Sequence, residues 1–119
     1  MNKDSINEML NTSLEDYKEF ETKGKLSRLR DGANKLLGVL EEYTAYKTGH
    51  IFEDYRDFRR TFLDSRVRLS LDQKRDLLND IRSLHIFFYY GLIEGETVDN
   101  IKYIYTKSYR LVKMIVSKG

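Results

Sequence analysis

The stretch "IRSLHIFFYYG", residues 81–91, sets His85 among Phe87, Phe88, Tyr89 and Tyr90. A neutral imidazole in apolar surroundings has a lowered pKa and can move a proton near neutral pH. Cleaving an RNA phosphodiester that way also needs a cation to hold the charge of the phosphorane. Arg82 is the nearest in sequence, and Arg75 lies further back on the same predicted helix. The spacing supports a second reading. His85 falls one turn from Ile81 and two turns from Leu78, with Phe88 three residues on. That is the apolar stripe of a helix, where a histidine with one satisfied hydrogen bond is the simpler outcome. Between the two, the core reading is the expectation.

The only other histidine, His50, follows Gly49 at a predicted helix end. As a cation there it would face the carbonyl end of the helix dipole, a structural role. Two isolated histidines and no cysteine make no metal-ligand set. The serines, histidines and acids carry no hydrolase motif, and the seven glycines form no phosphate loop. Neither a metal nor a cofactor is expected.

Charge is unevenly spread. Residues 1–24 hold three lysines against six acids, whereas 56–68 hold Arg56, Arg59, Arg60, Arg66 and Arg68 against Asp57 and Asp64. Asp54, Asp57 and Asp64 are expected to neutralise part of that arginine charge through surface pairs. Residues 97–119 hold five cations against Asp99. In this last segment Lys102, Tyr103, Arg110 and Lys113 form a candidate RNA-binding face, with cations for phosphates and an aromatic ring for a base. The alternative is a solvated amphipathic face.

The elements that would position these residues are helical, and the chain contains no proline. Ser5 with Glu8 reads as a capping box, followed by Ile6, Met9, Leu10, Leu14, Tyr17 and Phe20 at helical spacing and closed by Gly24. A second helix carries Leu26, Leu29, Ala33, Leu36, Leu37, Leu40 and Tyr43 and ends at Gly49. Gly32 and Gly38 inside it each cost ~1 kcal/mol relative to alanine, which close packing by a neighbouring helix would explain. A third, shorter helix carries Phe52, Tyr55, Phe58 and Phe62. Ser70 with Gln73 makes another capping box before a fourth helix from about Leu71 to Tyr90, stopped by Gly91. Thr97 caps a fifth, whose apolar face runs through Val98, Ile101, Ile104, Tyr105, Ser108, Leu111, Val112 and Ile115. Lys102, Lys107, Arg110, Lys113 and Lys118 take the opposite side. The expected fold is all-α, an antiparallel bundle of four or five helices, as one domain over residues 1–119.

With 34% charged and 40% hydrophobic residues the chain is globular rather than disordered. The absence of cysteine suits a reducing cytoplasm. The first residues have no secretory pattern, and no apolar run approaches the ~20 residues that span a membrane.

The motif Leu84-His85-x-x-Phe88-Tyr89-x-Gly91 resembles a pattern in the HEPN superfamily (higher eukaryotes and prokaryotes nucleotide-binding), in the branch of archaeal paralogous repeat-family proteins. The stretch "ETKGKLSRLRDGANKLLGVLEEYTAYKTGH" is similar to that branch's second helix, where a Lys-Gly turn precedes a long amphipathic helix ending at glycine. The likeness covers roughly residues 14–115. It implies a helical bundle that often forms a homodimer. It also implies one of two activities. One is metal-independent RNA cleavage by a composite Arg/His site at the dimer cleft. The other is a degenerate domain that binds RNA or docks a nucleotidyltransferase partner in toxin–antitoxin or defence systems. The nuclease pattern separates its arginine and histidine by four to six residues. Here Arg82 and His85 have two residues between them, and Arg75 and His85 have nine. The leading expectation is therefore a non-catalytic HEPN-like domain. The alternatives are the ribonuclease, using His85 with an arginine from the other subunit such as Arg82 or Arg75, and a structural protein–protein module.

Overall fold

The computed structural model describes residues 3–90 and 98–118, with side chains over 3–84 and 99–118. Five helices follow one another: α1 Lys3–Lys23, α2 Leu26–Thr48, α3 Tyr55–Asp64, α4 Leu71–Tyr90 and α5 Val98–Lys118. No strand occurs among the described residues. The fold is an all-α bundle, as the periodicity predicts, and no helix in it is long and apolar enough to cross a membrane.

α1 and α2 form an antiparallel hairpin. As numbers rise along α1 they fall along α2: an alanine Cβ at Gly38 would meet Met9, one at Gly32 would meet Ser13, and Arg28 pairs with Glu19. The two-residue connection works because Gly24 sits at φ 70°, where only glycine is unstrained, and its N–H closes on the Phe20 carbonyl. The close approach expected at Gly32 is present. A Cβ there would stand 3.1 Å from the Ser13 carbonyl oxygen and 3.4 Å from the Tyr17 nitrogen.

α2 is the spine and touches all four other helices. Its buried positions therefore extend past the predicted stripe to Gly32, Val39 and Thr44. Leu29, Leu36 and Leu40 pack with Phe58 and Phe62 of α3, Leu77, Leu78, Ile81 and Leu84 of α4, and Ile101, Tyr105 and Val112 of α5. Each such side chain contributes roughly 1.5–3 kcal/mol by leaving water.

Two boundaries differ from the sequence reading. α1 begins at Lys3, so Ser5 lies inside the helix rather than capping it. α3 begins at Tyr55, and Phe52 lies before it, its ring packed edge-on against Phe58 with centroids 5.5 Å apart. Asp54 makes the difference, because its side chain accepts the Asp57 N–H at 2.8 Å and starts the helix there. The Ser70–Gln73 capping box is reciprocal: the Gln73 N–H donates to Ser70 Oγ at 3.1 Å, and the Ser70 N–H donates to Gln73 Oε1 at 2.9 Å. The expected stop at Gly91 and cap at Thr97 lie outside the described residues.

Candidate nucleic-acid interface

α4 carries opposite charges on its two flanks. Arg75 and Arg82 are seven residues apart, so they fall within about 20° of each other around the axis, while Asp76 and Asp80 fall about 100° or more away. The arginine flank faces α3, where the Arg82 guanidinium carbon stands 4.8 Å from the centroid of the Tyr55 ring. The aspartate flank faces α5, where Asp80 lies 3.9 Å from Lys107. Burial raises the Asp80 pKa above the ordinary carboxylate value, an effect Lys107 opposes and Asp76 adds to.

On the arginine side, Arg56, Arg59 and Arg60 of α3 and Arg75 of α4 surround a shallow groove of about 330 Å³, floored by Leu63 and Leu71. One carboxylate, Asp64, joins the lining. Asp54 and Asp57 do not neutralise these arginines by ion pairing, contrary to expectation. Asp54 is the N-cap of α3. Asp57 Oδ2 accepts the Glu53 N–H at 3.2 Å and lies 2.9 Å from His50 Nε2. Those contacts, His50 first, hold its carboxyl below the ordinary value, and Arg60 adds a weaker Coulombic pull. A helix start needs acceptors for its orphan N–H groups, and Asp54 supplies one for α3, while Asp57 is taken up by His50 and by the Glu53 N–H of the preceding segment. Among the described residues no carboxylate forms an ion pair with Arg56, Arg59 or Arg60, and Arg75 only approaches Asp72, at 3.9 Å.

His50 is also corrected. Its ring is not bonded to the C-terminal carbonyls of α2, where the Gly49 N–H reaches Ala45 O at 2.8 Å and Thr48 Oγ1 reaches Thr44 O at 2.7 Å. Its ring turns to α3 instead and tethers that helix through Asp57.

The four predicted residues of α5 share a flank. Tyr103 is 64% exposed, Arg110 and Lys113 are exposed and Lys102 is half-buried, away from the buried Ile101, Tyr105, Ser108 and Val112. Lys107, on the same face, stands 5.9 Å from the Tyr103 centroid. Two basic surfaces therefore exist, with the aspartate flank of α4 between them. The sequence reading placed its RNA-binding residues on the lysine-rich one; it noted the basic stretch holding Arg56, Arg59 and Arg60 but did not join Arg75 to it. The signal was available in the seven-residue spacing of Arg75 and Arg82, read together with the next helix back.

Residue 85 is helical, but its side chain lies outside the described residues, so the expectations that His85 is a core residue or shares a site with Arg82 lie outside them too. No family model, curated protein or solved structure matches the chain.

Proposed function

We propose that the chain is a non-catalytic HEPN-like domain that binds RNA through the arginine groove between α3 and α4. The observation that carries this reading is the convergence of Arg56, Arg59, Arg60 and Arg75 on one groove, three of them without an ion-paired carboxylate among the described residues. Guanidinium groups suit the groove's contact with phosphate because their planar forks bond two oxygens at once. Arg82 over Tyr55 extends the cationic tract along α4 by about 10 Å. The likeness of residues 84–91 to the HEPN pattern supports the same assignment, and with it a homodimer, a nucleotidyltransferase partner and a place in a toxin–antitoxin or defence system. Tyr103, Arg110 and Lys113 of α5 supply a second contact surface.

Binding of a labelled single-stranded RNA, measured by fluorescence anisotropy over a range of salt, tests the reading. Affinity falls with salt as phosphate contacts release counterions. The Arg59→Glu/Arg60→Glu variant binds at least tenfold more weakly, with a shallower salt slope. RNA affinity unchanged in that variant removes the groove from the function. Metal-independent cleavage of the RNA, abolished by His85→Ala in a folded protein, makes the ribonuclease the correct reading instead.

A further inference from the structure

A second cavity, larger than the arginine groove, opens where the C-terminal ends of α2 and α5 meet the segment after α3. Its volume is about 600 Å³, within the roughly 300–1,000 Å³ of small-molecule sites. Its wall is partly apolar and partly cationic. Tyr43, Val67, Met114 and Ile115 supply the apolar part, and Lys47, Arg66, Arg68 and Lys118 the cations; among the described residues Asp64 is the one carboxylate in the lining.

Helix dipoles account for part of this charge. Lys47 and Lys118 lie in the last turns of α2 and α5, where cations are favourable beside unpaired carbonyls. Arg66 and Arg68 lie between helices, and among the described residues neither has an ion-paired carboxylate. Each helix end contributes the equivalent of about half a negative charge, and Arg66 and Arg68 are the lining cations that the helix ends do not account for.

An independent observation points to an occupant. Thr44 lines the same cavity, is 2% exposed, and its Oγ1 has no hydrogen-bond partner. A buried hydroxyl left unpaired is unfavourable, and in a helix a threonine side chain has two accessible rotamers about its first torsion. One of those rotamers pairs the hydroxyl with a carbonyl one turn back in the helix, and the other leaves it for an acceptor on a molecule in the cavity. The cavity wall is also held in place. The buried Lys74 ammonium donates to Leu63 O at 3.1 Å and Ser65 O at 2.6 Å, which fixes the chain entering Arg66.

We infer that this cavity binds a small phosphorylated molecule with a flat apolar body, the phosphate against Arg66 and Arg68 and the body against Tyr43, Met114 and Ile115. The inference does not rest on RNA binding. Of the cavity's lining residues only Asp64 is shared with the arginine groove, and neither Arg66 nor Arg68 lines that groove.

Phenyl phosphate is the probe, with inorganic phosphate and phenol as its two halves, titrated calorimetrically into the full chain. One equivalent of phenyl phosphate binds at least tenfold more tightly than either half. Arg66→Glu/Arg68→Glu weakens it at least tenfold with an unchanged melting temperature. Thr44→Val weakens it several-fold while the unliganded protein melts no lower. Arg59→Glu/Arg60→Glu leaves it unchanged, even where that variant loses RNA. No saturable binding, equal binding of phenyl phosphate and phosphate, or an undiminished affinity in Arg66→Glu/Arg68→Glu overturns the inference. Loss of phenyl phosphate in Arg59→Glu/Arg60→Glu does so as well, because the cavity is then a continuation of the RNA surface.

Discussion

Ser13 Oγ and Tyr105 Oη lie 2.8 Å apart in the core, although 92 residues separate them in the chain. Ser13 donates to the Gly32 carbonyl at 2.6 Å, which leaves Tyr105 as the donor to Ser13. One hydroxyl thus ties α1, α2 and α5 together. Ser13→Ala strands the Tyr105 hydroxyl and leaves Gly32 O without its side-chain donor, at an expected cost of about 2 kcal/mol. Tyr105→Phe leaves the Ser13–Gly32 bond intact and costs about 1 kcal/mol. Urea unfolding of both variants checks the order, and a larger loss in Tyr105→Phe contradicts it.

Gly32 and Gly38 should respond to alanine with opposite signs. At Gly32 the new methyl meets backbone atoms of Ser13 and Tyr17, which cannot yield without moving α1. An expected loss of about 1–3 kcal/mol follows. At Gly38 the nearest atom is Met9 Sδ at 3.0 Å, the far part of a flexible side chain. There the gain in helix propensity, up to ~1 kcal/mol, outweighs a rotamer adjustment. Thermal melts of the two single variants decide the matter.

Lys74 is buried, with its ammonium on two carbonyls at the C-terminal end of α3, Leu63 O and Ser65 O. Lys74→Met keeps the aliphatic stem and removes both bonds. The expected loss is about 2–3 kcal/mol, since hydrogen bonds from a charged donor are the stronger kind. An unchanged denaturation midpoint would show the lysine to be replaceable by a hydrocarbon.

Alkaline titration reports on the stacked pair Tyr17 and Tyr105, whose rings lie 4.0 Å apart and nearly parallel. Burial, reinforced by the charge of Glu21, pushes Tyr17 up to about 12. Burial also pushes Tyr105 up, against a lowering contribution from Ser13. A folded pKa above the unfolded value of 10.0 means the neutral phenols add stability that is complete below pH 10.0. That stability is lost as pH rises through about 12. Phenolate absorbance followed alongside circular dichroism should show these two of the nine tyrosines ionising only as the helical signal falls. All nine titrating near pH 10.0 in a folded protein contradicts the burial.

Helix identity was legible because it depends on local pattern. The Ser70–Gln73 box placed the start of α4, and Gly24 and Gly49 both adopt the left-handed conformation their positions suggested. The starts of α1 and α3 were missed for different reasons. Ser5 matches a cap in sequence, yet the helix already begins at Lys3. Phe52 matches the apolar period, yet Asp54 captures the first free N–H. The sites were less legible because they are assembled across elements. Tyr103, Arg110 and Lys113 share one helix and could be grouped by spacing alone. The grouping of Arg56 and Arg75, or of Thr44 with Arg66 and Met114, depends on how α2, α3, α4 and α5 pack, which no single stretch encodes.

The sorting of charge around α4 also bears on the moments before contact. With guanidinium groups toward α3 and carboxylates toward α5, the helix carries a transverse moment across its width. A nearby polyanion exerts a torque on such a body and turns it while it is still separated by solvent. Arrival is then oriented rather than random, and reversing the sign at Asp76 and Asp80 should abolish that orientation while the added positive charge strengthens the overall attraction.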